Sequence, residues 1–229
     1  MVYSHTPPCN PLCLHLLGIR CCTQGHHILL TQVLKRPEHL TRGEVRELWR
    51  KTVQAGHVPI FLALIPTLKP RDRLPDALVK NAAVEGHADM LSKLFERNDS
   101  LSQPSSLSTP PLGCSIRFWH ESIQVAAFRG HAAAVRVLLE KNPDKKAVNV
   151  AHFGEVTTFN SFANVDEKAP TALHRACLGG SIEVVRVLFA AGASKEFVDG
   201  ALPPLLLAIK RGHLGTTPPP PNNQSLTPI

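Results

Sequence analysis

Thr171-Ala-Leu-His-Arg-Ala-Cys-Leu-Gly-Gly-Ser-Ile-Glu-Val-Val-Arg-Val-Leu-Phe-Ala-Ala-Gly-Ala-Ser194 is the stretch whose reading decides the fold. Its later half places Val184, Val185, Leu188 and Phe189 at i, i+1, i+4 and i+5, which share one stripe of a 3.6-residue helix. Gly180 precedes that helix, and Gly192 follows it, twelve residues after Gly180. A residue that stops a helix by turning left-handed is most often Gly and next most often Asn. The stretch therefore predicts a helix pair, each member with one apolar face to bury.

The same punctuation recurs along the chain. Gly25-His26, Gly56-His57, Gly86-His87, Gly130-His131 and Gly212-His213 join Gly180-Ser181, at intervals of 31, 30, 44, 50 and 32 residues. A small or apolar pair precedes each glycine at one offset: Cys21-Cys22, Thr52-Val53, Ala82-Ala83, Ala126-Ala127, Ala176-Cys177 and Ala208-Ile209. Apolar stripes follow the earlier glycines, as in Leu29, Leu30, Val33 and Leu34, then Ile60, Phe61, Leu64 and Ile65. Met90, Leu91, Leu94 and Phe95 continue the series, then Ala134, Val135, Leu138 and Leu139. Asn98 and Asn142 occupy the position of Gly192 and are expected to end their helices left-handed. A period near 30 residues that recurs with insertions is the mark of a repeat array.

The unit from Thr171 to Ser194 resembles the ankyrin repeat, whose T-P-L-H-x-A signature appears as Thr171 to Ala176 with Ala172 in place of proline. The resemblance runs over roughly residues 16 to 214 and fades toward both ends, where the Thr-Pro-Leu-His start is missing. It implies an all-α ankyrin-repeat solenoid of about six helix-pair units, the terminal ones degenerate or truncated. Antiparallel helix pairs would each bury their stripe against neighbours, not in one central core. It also implies that Thr171, His174, Ala176, Gly180 and Gly192 are structural signature residues, with His174 bonding the turn beside Thr171.

Around the array, residues 1–15 read as an N-terminal tail and 215–229 as a proline-rich disordered tail holding Pro218 to Pro221. The two long intervals place insertions near 99–118 and 145–168. The first has the Ser and Pro content of a loop. In the second, Ala147–Val150 and Val156–Phe162 could pair as a short hairpin or stay mobile. Terminal repeats normally carry polar outer faces, yet Leu14, Leu16 and Leu17 at one end and Pro203 to Ile209 at the other are apolar. Either the chain is a truncated or spliced form of a longer array, or its ends self-associate.

Composition narrows the function. With 229 residues, 43% hydrophobic and 19% charged, the chain is no highly charged disordered polymer. Val58 to Leu68, the longest uncharged apolar run, holds 11 residues and two prolines, short of the roughly 20 that cross a bilayer. Leu12 to Ile19 lacks a preceding Lys or Arg and is interrupted by His15, against a signal peptide. Six cysteines in this length are too few for a disulfide scaffold, so the expected setting is intracellular, cytoplasmic or nuclear.

Cys9, Cys13, His15, Cys21, Cys22, His26 and His27 are ligand types that zinc prefers, but their spacings match no structural zinc module. No metal and no cofactor is expected. Phosphate-binding, dinucleotide, serine-hydrolase and metalloprotease motifs are all missing from the sequence, so no enzyme is expected either. The net charge of +7 admits acidic partners. Arg42, Arg46 and Arg50 share a helix face at i, i+4 and i+8, yet with 5% aromatics there is little for bases to stack on, and nucleic acid binding is not favoured.

What remains is a noncatalytic protein-binding scaffold. The alternatives are a repeat segment of a larger enzyme or receptor, and a basic repeat protein associated with nucleic acid. By resemblance, partners meet the loop tips and the two residues after the small pair. Those are Gln54 and Ala55, Val84 and Glu85, Phe128 and Arg129, Leu178 and Gly179, and Lys210 and Arg211. Phe128 and Arg129 lead them, because aromatic and Arg side chains dominate interface energetics.

Overall fold

Eleven α-helices form among the residues that the computed structural model describes, which are 11–34, 40–67, 76–99, 116–142, 148–149, 171–194 and 202–213. They come as consecutive pairs: α1 (Pro11–Gln24) and α2 (His27–Leu34), α3 (Arg42–Ala55) and α4 (Val58–Leu64), α5 (Asp76–Glu85) and α6 (Ala88–Asp99). The series continues with α7 (Ile116–Phe128) and α8 (Ala132–Lys141), α9 (Ala172–Gly179) and α10 (Ile182–Ala190), and ends on α11 (Pro204–Lys210). Pro66 falls in a 3-10 turn, Ile65–Thr67, that closes α4.

The glycine between the helices of each pair is what the backbone needs there. Gly25, Gly56, Gly86, Gly130, Gly180 and Gly212 all have φ between 74° and 84°, a region that a side chain makes costly. The amide after each glycine then donates to the carbonyl of the first residue of the small pair: His26 to Cys21, His57 to Thr52, His87 to Ala82, His131 to Ala126, Ser181 to Ala176 and His213 to Ala208. These bonds span 2.8–3.3 Å and satisfy carbonyls that the helix end would orphan. Starts are fixed locally as well. Thr41 and Glu44 form a reciprocal capping box on α3, with the Thr41 amide donating to Glu44 Oε2 at 2.7 Å.

Two rows of helices result. First helices pack α1 on α3, α3 on α5, α5 on α7, α7 on α9 and α9 on α11, while second helices pack α2 on α4, α4 on α6, α6 on α8 and α8 on α10. Their apolar stripes merge into one elongated core from Cys21 to Ala208. Aromatic pairs thicken it, Trp49 edge-on to Phe61 at 5.1 Å and Phe95 stacked on Trp119 at 5.0 Å. The small pairs are buried throughout except for Ile209, which is exposed at the end of the row.

Several expectations need correction. Asn98 lies inside α6 and Asn142 is extended at φ −72°, so neither ends its helix left-handed, and Gly192 at φ 87° is the single member of the three that does. The backbone can leave a helix without a left-handed residue when the next segment turns away directly. Leu29, placed on a buried stripe, is half-exposed in the first described unit. α1 begins at Pro11, within the stretch read as tail. The expected hairpin strands, apart from Val148 and Asn149, and the tail 215–229 lie outside the described residues.

Candidate functional site

The second, third and fourth units are each tied to the one before by the histidine that follows the repeat glycine. His57 Nε2 donates to the Thr23 carbonyl at 3.2 Å, His87 Nε2 to Gln54 at 3.0 Å and His131 Nε2 to Val84 at 2.9 Å. The acceptor is always two residues before the preceding glycine. The imidazole thereby covers that glycine: a Cβ at Gly56 would stand 2.6 Å from the His87 ring, and at Gly86 2.5 Å from His131. Gly therefore serves twice, for its φ and for the room it leaves. The sequence shows the recurrent Gly-His but not that the ring reaches across the seam.

Ser181 replaces histidine in the fifth unit, and there the backbones close up instead. A Cβ at Gly179 would overlap the Phe128 carbonyl, so the backbones of α7 and α9 touch at that point. Thr171 caps α9, its Oγ1 standing 2.6 Å from His174 Nδ1 and accepting from the His174 amide. His174 is buried, and burial holds its pKa down at about 4, so the ring is neutral at physiological pH. Ala176 is fully buried beside it. Burial also pushes the Cys22 and Cys177 thiols up to about 11, which makes them inert packing residues.

The residues named as partner contacts divide by register. Those two places before the glycine are shut in along the middle of the row: Val84 and Leu178 are buried, and Phe128 is half-buried against Leu178 and Leu207. Val84 and Leu178 are therefore corrected from surface contacts to packing residues, because the close approach of α5, α7, α9 and α11 leaves them no opening. The residue directly before the glycine stays open: Glu85 and Ala55 are half-exposed, and Arg129 and Arg211 are exposed. Lys210 is exposed too, at the end of the row. Arg129 also reaches back, its Nη1 lying 3.5 Å from the Val84 carbonyl.

Sequence reasoning missed a groove of about 500 Å³ on the other row, between α8 and α10. Leu139, Val148 and Val187 line its apolar part, and Arg136, Glu140, Glu183 and Arg186 its charged part. Asn149 fixes the approach to it, its Nδ2 donating to the Gly192 carbonyl at 3.0 Å and its Oδ1 accepting from the Ser194 amide at 2.7 Å. Arg136 and Arg186, each six residues past its glycine, were the available signal. No group of three or more metal-ligating side chains gathers among the described residues. No helix among them is long and apolar enough to cross a membrane.

A family model for ankyrin repeats, in three copies, matches residues 79–217. The chain belongs to the ankyrin-repeat family. No curated protein matches it. Ankyrin repeats are in general scaffolds for protein–protein interaction and typically noncatalytic. In this ankyrin-repeat chain the matched span holds the charged open positions Glu85, Arg129 and Arg211, and it holds both long intervals.

Proposed function

We propose that this ankyrin-repeat chain is a noncatalytic scaffold that binds another protein along the open row directly before the repeat glycines. The observation that supports this is the register itself. Glu85, Arg129 and Arg211 stand open directly before their glycines, while Val84 is buried and Phe128 half-buried one place earlier, so a partner meets a spaced line of variable residues on a rigid backing. Glu85, Arg129 and Arg211 give that line its charge, with Lys210 beside the last of them, and three of these four are basic. An acidic protein surface complements the later units.

Under the same reading, the array occupies residues 16–214 together with the start of α1, and its long connections carry insertions near 99–118 and 145–168. The Arg42, Arg46 and Arg50 stripe is exposed, but Arg50 pairs with Glu47 at 3.2 Å, which weakens it as a phosphate track. The test is affinity capture with the wild-type chain and with Arg129→Glu/Arg211→Glu, read by mass spectrometry. Loss of the captured partner at an unchanged thermal midpoint is expected. Identical recovery would remove this row from the binding surface.

A further inference from the structure

The two ends of the array carry complementary halves of the seam that its inner units share. Gly25, Gly56, Gly86 and Gly180 are covered by the rings of His57, His87, His131 and His213, whereas nothing among the described residues stands within 4 Å of a Cβ at Gly212. At the opposite end His26 is exposed, and no described unit stands before it. One end has the glycine without the histidine, the other the histidine without the glycine.

Side-chain register repeats the pattern. Counted from the repeat glycine, Leu205, Leu206 and Ile209 of α11 match Leu173, His174 and Cys177 of α9. The α9 residues are buried, and the α11 residues are 42%, 49% and 48% exposed. Leu17 and Leu29 match Ala172 and Val184, again buried within the row and exposed at its beginning. The seam between α5 and α7 carries a Lys80–Glu121 ion pair at 3.1 Å. The same register at the ends supplies Leu206 in place of the lysine and Leu16, 58% exposed, in place of the glutamate. A matched charge pair inside the chain is thus replaced by a matched apolar pair between its ends.

We propose that copies of this chain stack head to tail, the α11 end of one against the α1–α2 end of the next, in the register of an internal seam. His26 of the following copy covers Gly212, and Leu16 meets Leu206. A second copy is the occupant because both faces belong to one chain and each lacks what the other presents. The contact is heterologous, so it extends as an open series and does not close as a two-fold dimer.

Sedimentation velocity of the full chain from low micromolar to near-millimolar concentration tests this. The average mass should rise progressively above 25.0 kDa. Leu206→Lys and Leu16→Glu, each alone, should stay at the single-chain mass, since each sets a charge against a leucine. Their equimolar mixture should associate again, because it rebuilds the Lys80–Glu121 arrangement at the joint. Both side chains are exposed, so circular dichroism should give wild-type melting for each variant. A wild type that stays single at every concentration, a variant that associates alone as the wild type does, a closed dimer indifferent to both substitutions, or a mixture that stays single would each overturn the proposal.

Discussion

His174 shows how one buried side chain sets a pH limit on the fold. Its folded pKa of about 4 lies below the ordinary 6.5, so the unfolded chain takes up a proton below pH 6.5 that the folded chain refuses until about pH 4. Its contribution is complete above pH 6.5 and is lost as acid carries the protein down through that window, by an amount on the order of 3 kcal/mol. Urea melts from pH 7 to pH 4.5 should therefore lose stability, and His174→Gln should flatten the slope. An equal slope in the variant would mean that other groups carry it. Gly179 sets a steric limit instead. Gly179→Ala drives a methyl group into the Phe128 carbonyl, and the α7–α9 seam should weaken by about 1–3 kcal/mol, read as a lower thermal midpoint. An unchanged midpoint would show that the seam yields.

Between elements, the Lys80–Glu121 bridge joins α5 to α7 with both side chains mostly shielded from solvent. A double-mutant cycle with Lys80→Met and Glu121→Gln should return a coupling energy of about 1 kcal/mol, larger than that of the exposed Arg186–Glu183 pair on α10. Equal couplings would deny the bridge a role in the seam. This contrast marks what the sequence could tell. Small pairs, turning glycines and apolar stripes are local patterns, and they placed the helices because the forces that make a helix pair act within about 30 residues. Lys80 and Glu121 are 41 residues apart with an insertion between them, so nothing local links them. Val84 and Leu178 failed as surface residues for the same reason, since whether a helix flank is open depends on how near the next unit comes. Asn98 failed differently: a residue able to turn left-handed is permitted to do so, not compelled.

At the scale of the whole molecule, the main packing partners of each described helix lie in its own or a neighbouring unit, and stability is a sum of units and seams. Hydrogen exchange should follow that geometry. Amides of α7 and α9, flanked on both sides, should exchange slowest, and those of α11, whose Leu205 and Leu206 are exposed, fastest. Uniform protection along the row would instead indicate a single all-or-none transition. Because the amide-to-carbonyl turn recurs in six places, and histidine covers the preceding glycine at four joints, units that share the histidine joint offer one another equivalent sockets. Duplicating or excising one of the short units leaves such joints compatible, so the gene can change length there in steps of about thirty codons without redesigning what is left.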